Sequence, residues 1–347
     1  VAEIAAGVAG GGGVTVGLTL GKFAPLHRGH QHLIETALGE VDHLVVIIYD
    51  SPEVTAVPLP VRAGWIRELY PAVEVIEAWG GPSELGDDPA VTAAHDAYIL
   101  GLLGERRVTH FYSSEFYGEH VSRALGAVDR RVDPERGAVP VSGALVRADL
   151  YAHRAFVDPR VYRDLVLKVV FFGAPSTGKT TLCQALAAKY DTVWMPEYGR
   201  EYWEIHQVDR RLTPEQLYEI GIGHREREEA MLQTARGVLF VDTEAIITEH
   251  FARYYGDPVD PRLLALARES ERRYDACFFC EDDIPYDDTW DRSGAVFRAE
   301  FHKQIRADLQ VRRIPFVSLR GSVEERVGKV SAVIDRLQPF GSIGDLV

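Results

Sequence analysis

No apolar run in this sequence approaches the ~20 residues that a membrane-spanning helix needs, so insertion into a bilayer is not expected. Cysteine is scarce: Cys183, Cys277 and Cys280 are the only three among 347 residues. So few thiols exclude a disulfide framework and point to a reducing compartment, read here as the cytoplasm. Positive charge is also in deficit. Lys and Arg number 38 against 52 Asp and Glu, a formal net charge of −14. A chain of this sign lacks the clustered cations with which proteins hold a phosphodiester backbone, so no nucleic-acid partner is expected. Val1–Gly13 is glycine-rich without a basic leader segment and reads as a flexible lead-in rather than a secretory signal. Homo-oligomerisation is left open by the sequence.

Apolar residues make up 46% of the chain, enough for a sizeable interior, and the length suggests two domains. The hydrophobic pattern alternates short apolar runs with helical spacing throughout, which predicts an α/β protein of two parallel-sheet domains. The expected division is a lead over 1–13, a first domain over 14–155, a short join over 156–166 and a second domain over 167–340. Cys277-x-x-Cys280 lies in the run Ala276-Cys277-Phe278-Phe279-Cys280, which reads as a buried strand. With no second Cys pair or nearby His to complete a zinc site, the pair is read as structural.

The most specific signal stands mid-chain. The apolar run Val169–Phe172 leads into Gly173-Ala174-Pro175-Ser176-Thr177-Gly178-Lys179-Thr180-Thr181 and then a helical pattern. This is G-x-x-x-x-G-K-T in its strand–loop–helix context, a cradle of backbone N–H groups for the phosphates of ATP. Lys179 is placed to reach the outer phosphates and Thr180 to offer its hydroxyl to Mg²⁺. Two later strands end in acids. Thr192–Met195 runs into Glu197, with Tyr198 and Arg200 beyond it, and Gly237–Val241 runs into Asp242. Glu197 is expected to accept the proton of an acceptor hydroxyl while Tyr198 and Arg200 hold the acceptor. Asp242 is expected to stand by the metal. Either acid can be the base on sequence grounds. The polar segment Asp282–Gly294 reads as a lid whose Arg292 faces the transferring phosphoryl group. The charged stretch Pro214–Arg236 reads as a helix with a solvated face.

In the first domain the strand Val14–Thr19 is followed by Gly21-Lys22-Phe23-Ala24-Pro25-Leu26-His27-Arg28-Gly29-His30 and then a helix. Ligands of parallel sheets bind at the carboxyl ends of strands, and a helix N-terminus there favours anions. His27 and His30, three residues apart, can both face one phosphate and stabilise charge at an α-phosphorus.

This element resembles the nucleotidyltransferase superfamily, with its (H/T)xGH motif. The superfamily's later I-S-x-T-x-x-R element is matched by Val141-Ser142-Gly143-Ala144-Leu145-Val146-Arg147, where Ala144 replaces the hydroxyl residue. The resemblance implies an ATP site made of Gly21, Lys22, Phe23, His27, His30, Ser142 and Arg147, with one phosphate contact missing or supplied elsewhere. Arg62 and Trp65 resemble an R-x-x-W segment that adenylyltransferases of nicotinamide mononucleotide place near the pyridine ring, which implies a substrate role.

From Val14 to Leu337 the order of parts resembles the NadR family, which joins a nicotinamide mononucleotide adenylyltransferase to a ribosylnicotinamide kinase. The resemblance implies NAD salvage. One half would phosphorylate nicotinamide riboside with Mg·ATP; the other would adenylylate the mononucleotide to NAD. Some members begin with a helix-turn-helix repressor domain. About thirteen residues precede the first strand here, so repressor activity is not expected. The alternatives are a fusion acting on a different small substrate, or a nucleotide sensor with one half impaired.

Overall fold

The computed structural model describes residues 13–82, 88–115, 118–285 and 295–341. The chain divides into two compact units between Val161 and Tyr162.

The first unit runs β1 (Val16–Gly21), α1 (Arg28–Glu40), β2 (His43–Tyr49), α2 (Leu59–Leu69), β3 (Glu74–Ala78), α3 (Pro89–Leu103), β4 (His110–Ser113), α4 (Glu119–Leu125), β5 (Val128–Arg131) and α5 (Gly143–Ala148), and α6 (Pro159–Leu165) straddles the division. Its five strands are parallel in the order β3-β2-β1-β4-β5. Leu44 to Ile48 of β2 are buried without a break, the pattern of a strand covered on both faces. Leu18, Val45, Ile47, Phe111 and Val121 form the core against Ile99 and Leu103 of α3. Helix α3 begins where the sequence asks for it. Asp88 caps the N–H of Ala90 at 2.8 Å and Pro89 occupies the first turn, whose N–H needs no partner.

The second unit contains β6 (Leu167–Phe172), α7 (Lys179–Tyr190), β7 (Trp194–Met195), α8 (Tyr198–His206), α9 (Pro214–Leu232), β8 (Val238–Asp242), α10 (Ala245–Tyr255), α11 (Pro261–Ser270), β9 (Ala276–Cys280), α12 (Ala295–Val311), β10 (Val317–Leu319) and α13 (Val323–Ile334). Its sheet is also parallel, in the order β10-β9-β6-β8-β7. In both sheets the first strand is central and a crossover reverses direction beside it. That topological switch is where parallel sheets open a crevice for ligands.

After Glu197 the chain turns at once into α8. One feature departs from the expectations: the charged stretch over α9 is not simply solvated, since Leu217, Ile220, His224, Glu228 and Leu232 are buried. Glu228 has no exposed surface because its charge is met inside the protein, by Arg273 Nε at 2.7 Å and Tyr274 Oη at 2.9 Å. A buried carboxylate survives only with such partners. The cysteines of β9 are buried, and burial pushes both thiols up to about 12.

Candidate active sites

At the carboxyl end of β1, Gly21, Lys22, Phe23 and His30 line a cavity of about 730 Å³, together with Arg147 from α5 and Ser113, Ser114 and Glu115 after β4. His27 stands behind His30, 5% exposed, with the two rings stacked at 3.7 Å between centroids. A Cβ at Gly29 would come within 3.1 Å of the His27 ring, so the glycine makes room for the imidazole pair. The backbone N–H of His27 donates to His30 Nδ1 at 3.4 Å, which assigns the proton of a neutral His30 to Nε2. Burial, then the positive charges of Arg136 and Arg147, push His27 down to about 4. Burial, then His27 and Arg136, hold His30 well below the ordinary imidazole range. Both rings are therefore neutral near pH 7, so that His30 meets the cavity with an N–H rather than with a cation.

Ser142 caps α5 by accepting from the N–H of Leu145 at 3.3 Å. Arg147 Nη1 donates to the carbonyl of Ala24 at 2.5 Å, a reach that Gly143 keeps open, since a Cβ there would stand 3.1 Å from that guanidinium. Lys22 pairs with Glu53 at 2.9 Å. Arg62 and Trp65 are corrected in place: neither lines the cavity. Arg62 is 1% exposed and spends its donors on the carbonyls of Val57 (3.0 Å), Tyr49 (3.0 Å) and Lys22, while Trp65 is in the core. The arginine braces the strand-end loops from behind. Asp50, His95 and His120, which carry no motif that would single them out, do line the cavity; Asp96 orients His120 at 2.7 Å.

In the second unit the P-loop turns between β6 and α7. Gly173 (φ 140) passes so near β9 that a Cβ would fall 2.7 Å from the Cys280 carbonyl. Gly178 adopts φ 81 at the N-cap of α7; both positions are hard to fill with any other residue. Thr177 is fully buried with its hydroxyl on the Ala174 carbonyl at 2.8 Å, and Ser176 takes φ 59. Lys179 Nζ donates to the carbonyls of Gly173 (2.9 Å) and Ala174 (3.0 Å). Thr180 and Thr181 are exposed on the first turn of α7. The Thr180 hydroxyl donates to Asp242 Oδ2 at 2.5 Å. The next residue, Thr243, has φ 72, and its hydroxyl donates to Asp242 Oδ1 at 3.2 Å.

Beside the P-loop lies a cavity of about 600 Å³. Glu197, Tyr198, Arg200 and Trp203 line one side, and Thr243, Glu244, Phe251 and Tyr254 another. Arg200 approaches Glu197 at 3.6 Å. Arg227 of α9 holds α8 in place by donating to both Glu201 oxygens (2.7 and 3.0 Å) and stacking 3.9 Å from the Tyr198 ring. Glu244 and His224 also reach the lining, and sequence reasoning missed both. Burial raises Glu244 to about 7 and lowers His224 to about 4. The expectation for Arg292 falls outside the described residues. Glu281, Asp282 and His302 bring ligand atoms within 4.8 Å of one another, but Arg306 donates to Glu281 and Arg320 stands 3.9 Å from it, so guanidinium already answers that charge.

A Rossmann-like unit with stacked imidazoles at its first strand end, followed by a P-loop unit with a hydroxyl–carboxylate pair, defines a two-site nucleotide transferase. A family model described as an AAA domain matches residues 168–326. The trifunctional NAD biosynthesis/regulator protein NadR of Escherichia coli (strain K12) is 27% identical over 328 residues, 87% of this chain and 78% of that protein. The phosphopantetheine adenylyltransferase of Streptococcus suis is 28% identical over 137 residues, 39% of this chain and 83% of that protein. A solved NadR structure in complex with NAD and AMP-PNP superposes with a TM-score of 0.55 over 92% of this chain and 96% of its own, at 23% identity, a likeness of fold. Over most of its length the chain is thus similar in sequence and in fold to NadR proteins.

Proposed function

We propose that this chain makes NAD in two ATP-dependent steps, one in each unit. In the second unit the 5′-hydroxyl of nicotinamide riboside attacks the γ-phosphorus of ATP. The bond from that phosphorus to the ADP oxygen breaks, and the hydroxyl proton passes to a carboxylate. In the first unit a phosphate oxygen of nicotinamide mononucleotide attacks the α-phosphorus of a second ATP, and pyrophosphate leaves. The observation that carries this reading is the chemical contrast between the two sites. The second has acids at its strand ends, where a hydroxyl nucleophile must lose a proton. The first has neutral donors at its strand end, where the nucleophile is already an anion and needs positioning and charge stabilisation.

Within the first site His30 Nε2–H, the N-terminus of α1, Lys22 and Arg147 serve the triphosphate, with His27 fixing the ring of His30 from behind. Within the second, Gly173, Ser176, Thr177, Gly178 and Thr181 form the phosphate cradle, and Lys179 serves the outer phosphates. Thr180 and Asp242 supply two hard oxygen donors side by side, a fit for Mg²⁺, which keeps most of its other positions for water and phosphate. Bound there, Mg²⁺ would offset charge on the β- and γ-phosphates. Because two threonine hydroxyls already engage Asp242, Glu197 is our assignment for the base, with Tyr198 and Arg200 holding the riboside. Trp203, Phe251 and Tyr254 offer faces suited to a flat cationic ring.

Incubating the full chain with ATP, Mg²⁺ and nicotinamide riboside should give the mononucleotide and then NAD by chromatography; neither product would reject the reading. Parallel reactions with phosphopantetheine test the rival that the Streptococcus suis likeness favours, and product formed there alone would replace the proposal for the first unit.

A further inference from the structure

Two buried arginines grip the outside of the P-loop. Arg326, on the first turn of α13, is 3% exposed, and Arg298 of α12 is 7% exposed. Arg326 Nη1 donates to the Thr177 carbonyl at 2.7 Å. Its other donors go to the carbonyls of Gly321 (3.1 Å) and Glu281 (3.3 Å) and to the Asp283 carboxylate. Asp283 in turn accepts the N–H of Gly321 at 2.7 Å. Arg298 Nη2 donates to the Ser176 carbonyl at 3.1 Å, and both its terminal nitrogens reach the Ile284 carbonyl at 3.1 Å. Consecutive P-loop carbonyls are thus each held from behind by a guanidinium.

Peptide geometry turns this grip into an aiming device. A trans peptide is planar, with its C=O and N–H on opposite sides. Fixing the Ser176 carbonyl therefore points the N–H of Thr177 the other way, and fixing the Thr177 carbonyl does the same for Gly178. Those are donors that a phosphate cradle needs facing inward. Ser176 at φ 59 and Gly178 at φ 81 lie in the left-handed region, and Ser176 needs outside support to stay there. Burying guanidinium groups is costly, and a surface turn before a helix would not call for two.

We infer that Arg326, assisted by Arg298, is a positioning residue for phosphoryl transfer: it orients the N–H groups of the P-loop and ties that loop to the segments after β9 and β10. This rests on the kinase reading of the second unit. The role touches nucleotide phosphates through the loop and leaves the acceptor cavity alone, so it separates from a general loss of structure.

In the full chain, Arg326→Met should raise KM for ATP in riboside phosphorylation at least about tenfold, the scale of losing a charge-assisted hydrogen bond. KM for the riboside and kcat/KM for adenylylation of supplied mononucleotide should stay within about twofold, as expected for sites that share no partner with Arg326. Arg326→Lys, which keeps the charge without the planar fork, should fall between. If Arg326→Met gives no cooperative unfolding transition, Arg326→Lys and Arg298→Met are judged by the same criteria. An unchanged KM for ATP, or a loss shared equally by the riboside and by adenylylation, overturns the inference. Calorimetric binding of Mg·ADP, reading the component that Lys179→Met removes, needs no acceptor. If the riboside assignment is wrong but the inference right, that binding still weakens in Arg326→Met.

Discussion

In the first unit the turn from β1 into α1 presents two stacked imidazoles, both held neutral; in the second, the turn from β6 into α7 presents an ammonium, and an acid clasped by two hydroxyls stands at the end of β8. The scaffolds are alike: a five-stranded parallel sheet, the ligand loop on a central strand, a helix opening immediately behind it. What differs is where charge is kept. Burial, aided by Arg136 and at His27 also by Arg147, keeps protons off the imidazoles of the first site. The second keeps charge of both signs close together, Lys179 on the loop and Asp242 at the neighbouring strand end. One architecture thus serves an anionic nucleophile and a neutral one by changing the partners of a single turn.

The comparison breaks most visibly at Lys179. Lys179→Ala should lower riboside phosphorylation by roughly 10³-fold, while adenylylation of supplied mononucleotide is untouched; a fall in both rates would mean the two sites are not separate. His30→Ala is the mirror experiment. It should lower NAD formation from the mononucleotide by about 10²-fold with phosphorylation intact. If NAD synthesis survives, His30 does not serve the reacting phosphate and the contrast dissolves.

Acid sharpens the comparison. The imidazole pair has folded values below the ordinary value of about 6.5, so the unfolded chain takes up protons that the folded one refuses. The stability these histidines contribute is present above about pH 6.5 and is lost as pH falls toward His27's value of about 4. From pH 7 to 5, His27 alone should cost the first unit about 2 kcal/mol, seen as a lower melting temperature for the transition that the mononucleotide protects. The adenylylation rate itself should be flat between about pH 6.5 and 8, since no imidazole proton is exchanged. A transition that does not move, or a rate that falls with imidazole protonation, would contradict the neutral-donor reading. The smallest effect is expected at Ala144, exposed on α5. Ala144→Thr should raise adenylylation by about two- to fivefold, one hydrogen bond's worth, measured as kcat/KM for ATP.

Both loops were legible in the sequence because their chemistry is local: glycines, imidazoles and a lysine at fixed spacing on one turn. The sheets were legible too, since buried parallel strands write continuous apolar runs such as Leu44–Ile48. What could not be read is what depends on distant segments. Arg62 and Trp65 matched a short pattern, but whether an arginine faces a ligand or three carbonyls is decided by loops up to forty residues away in sequence. Glu228 looked like one charge among many until Arg273 and Tyr274, some 45 positions on, enclosed it. Arg298 and Arg326 carry no local signature at all; their partners on the P-loop precede them by 122 and 149 residues.

The turn at Thr243 has a consequence for engineering this chain. A β-branched side chain at φ 72 is strained, by about 1–2 kcal/mol, and the strain sits at the joint between the acid that faces Thr180 and the acid that walls the cavity. Glycine there would relax the backbone and raise the melting point of the second unit, yet it would also remove the hydroxyl that holds Asp242 Oδ1. Selection for heat resistance and selection for turnover should therefore pull this one position in opposite directions.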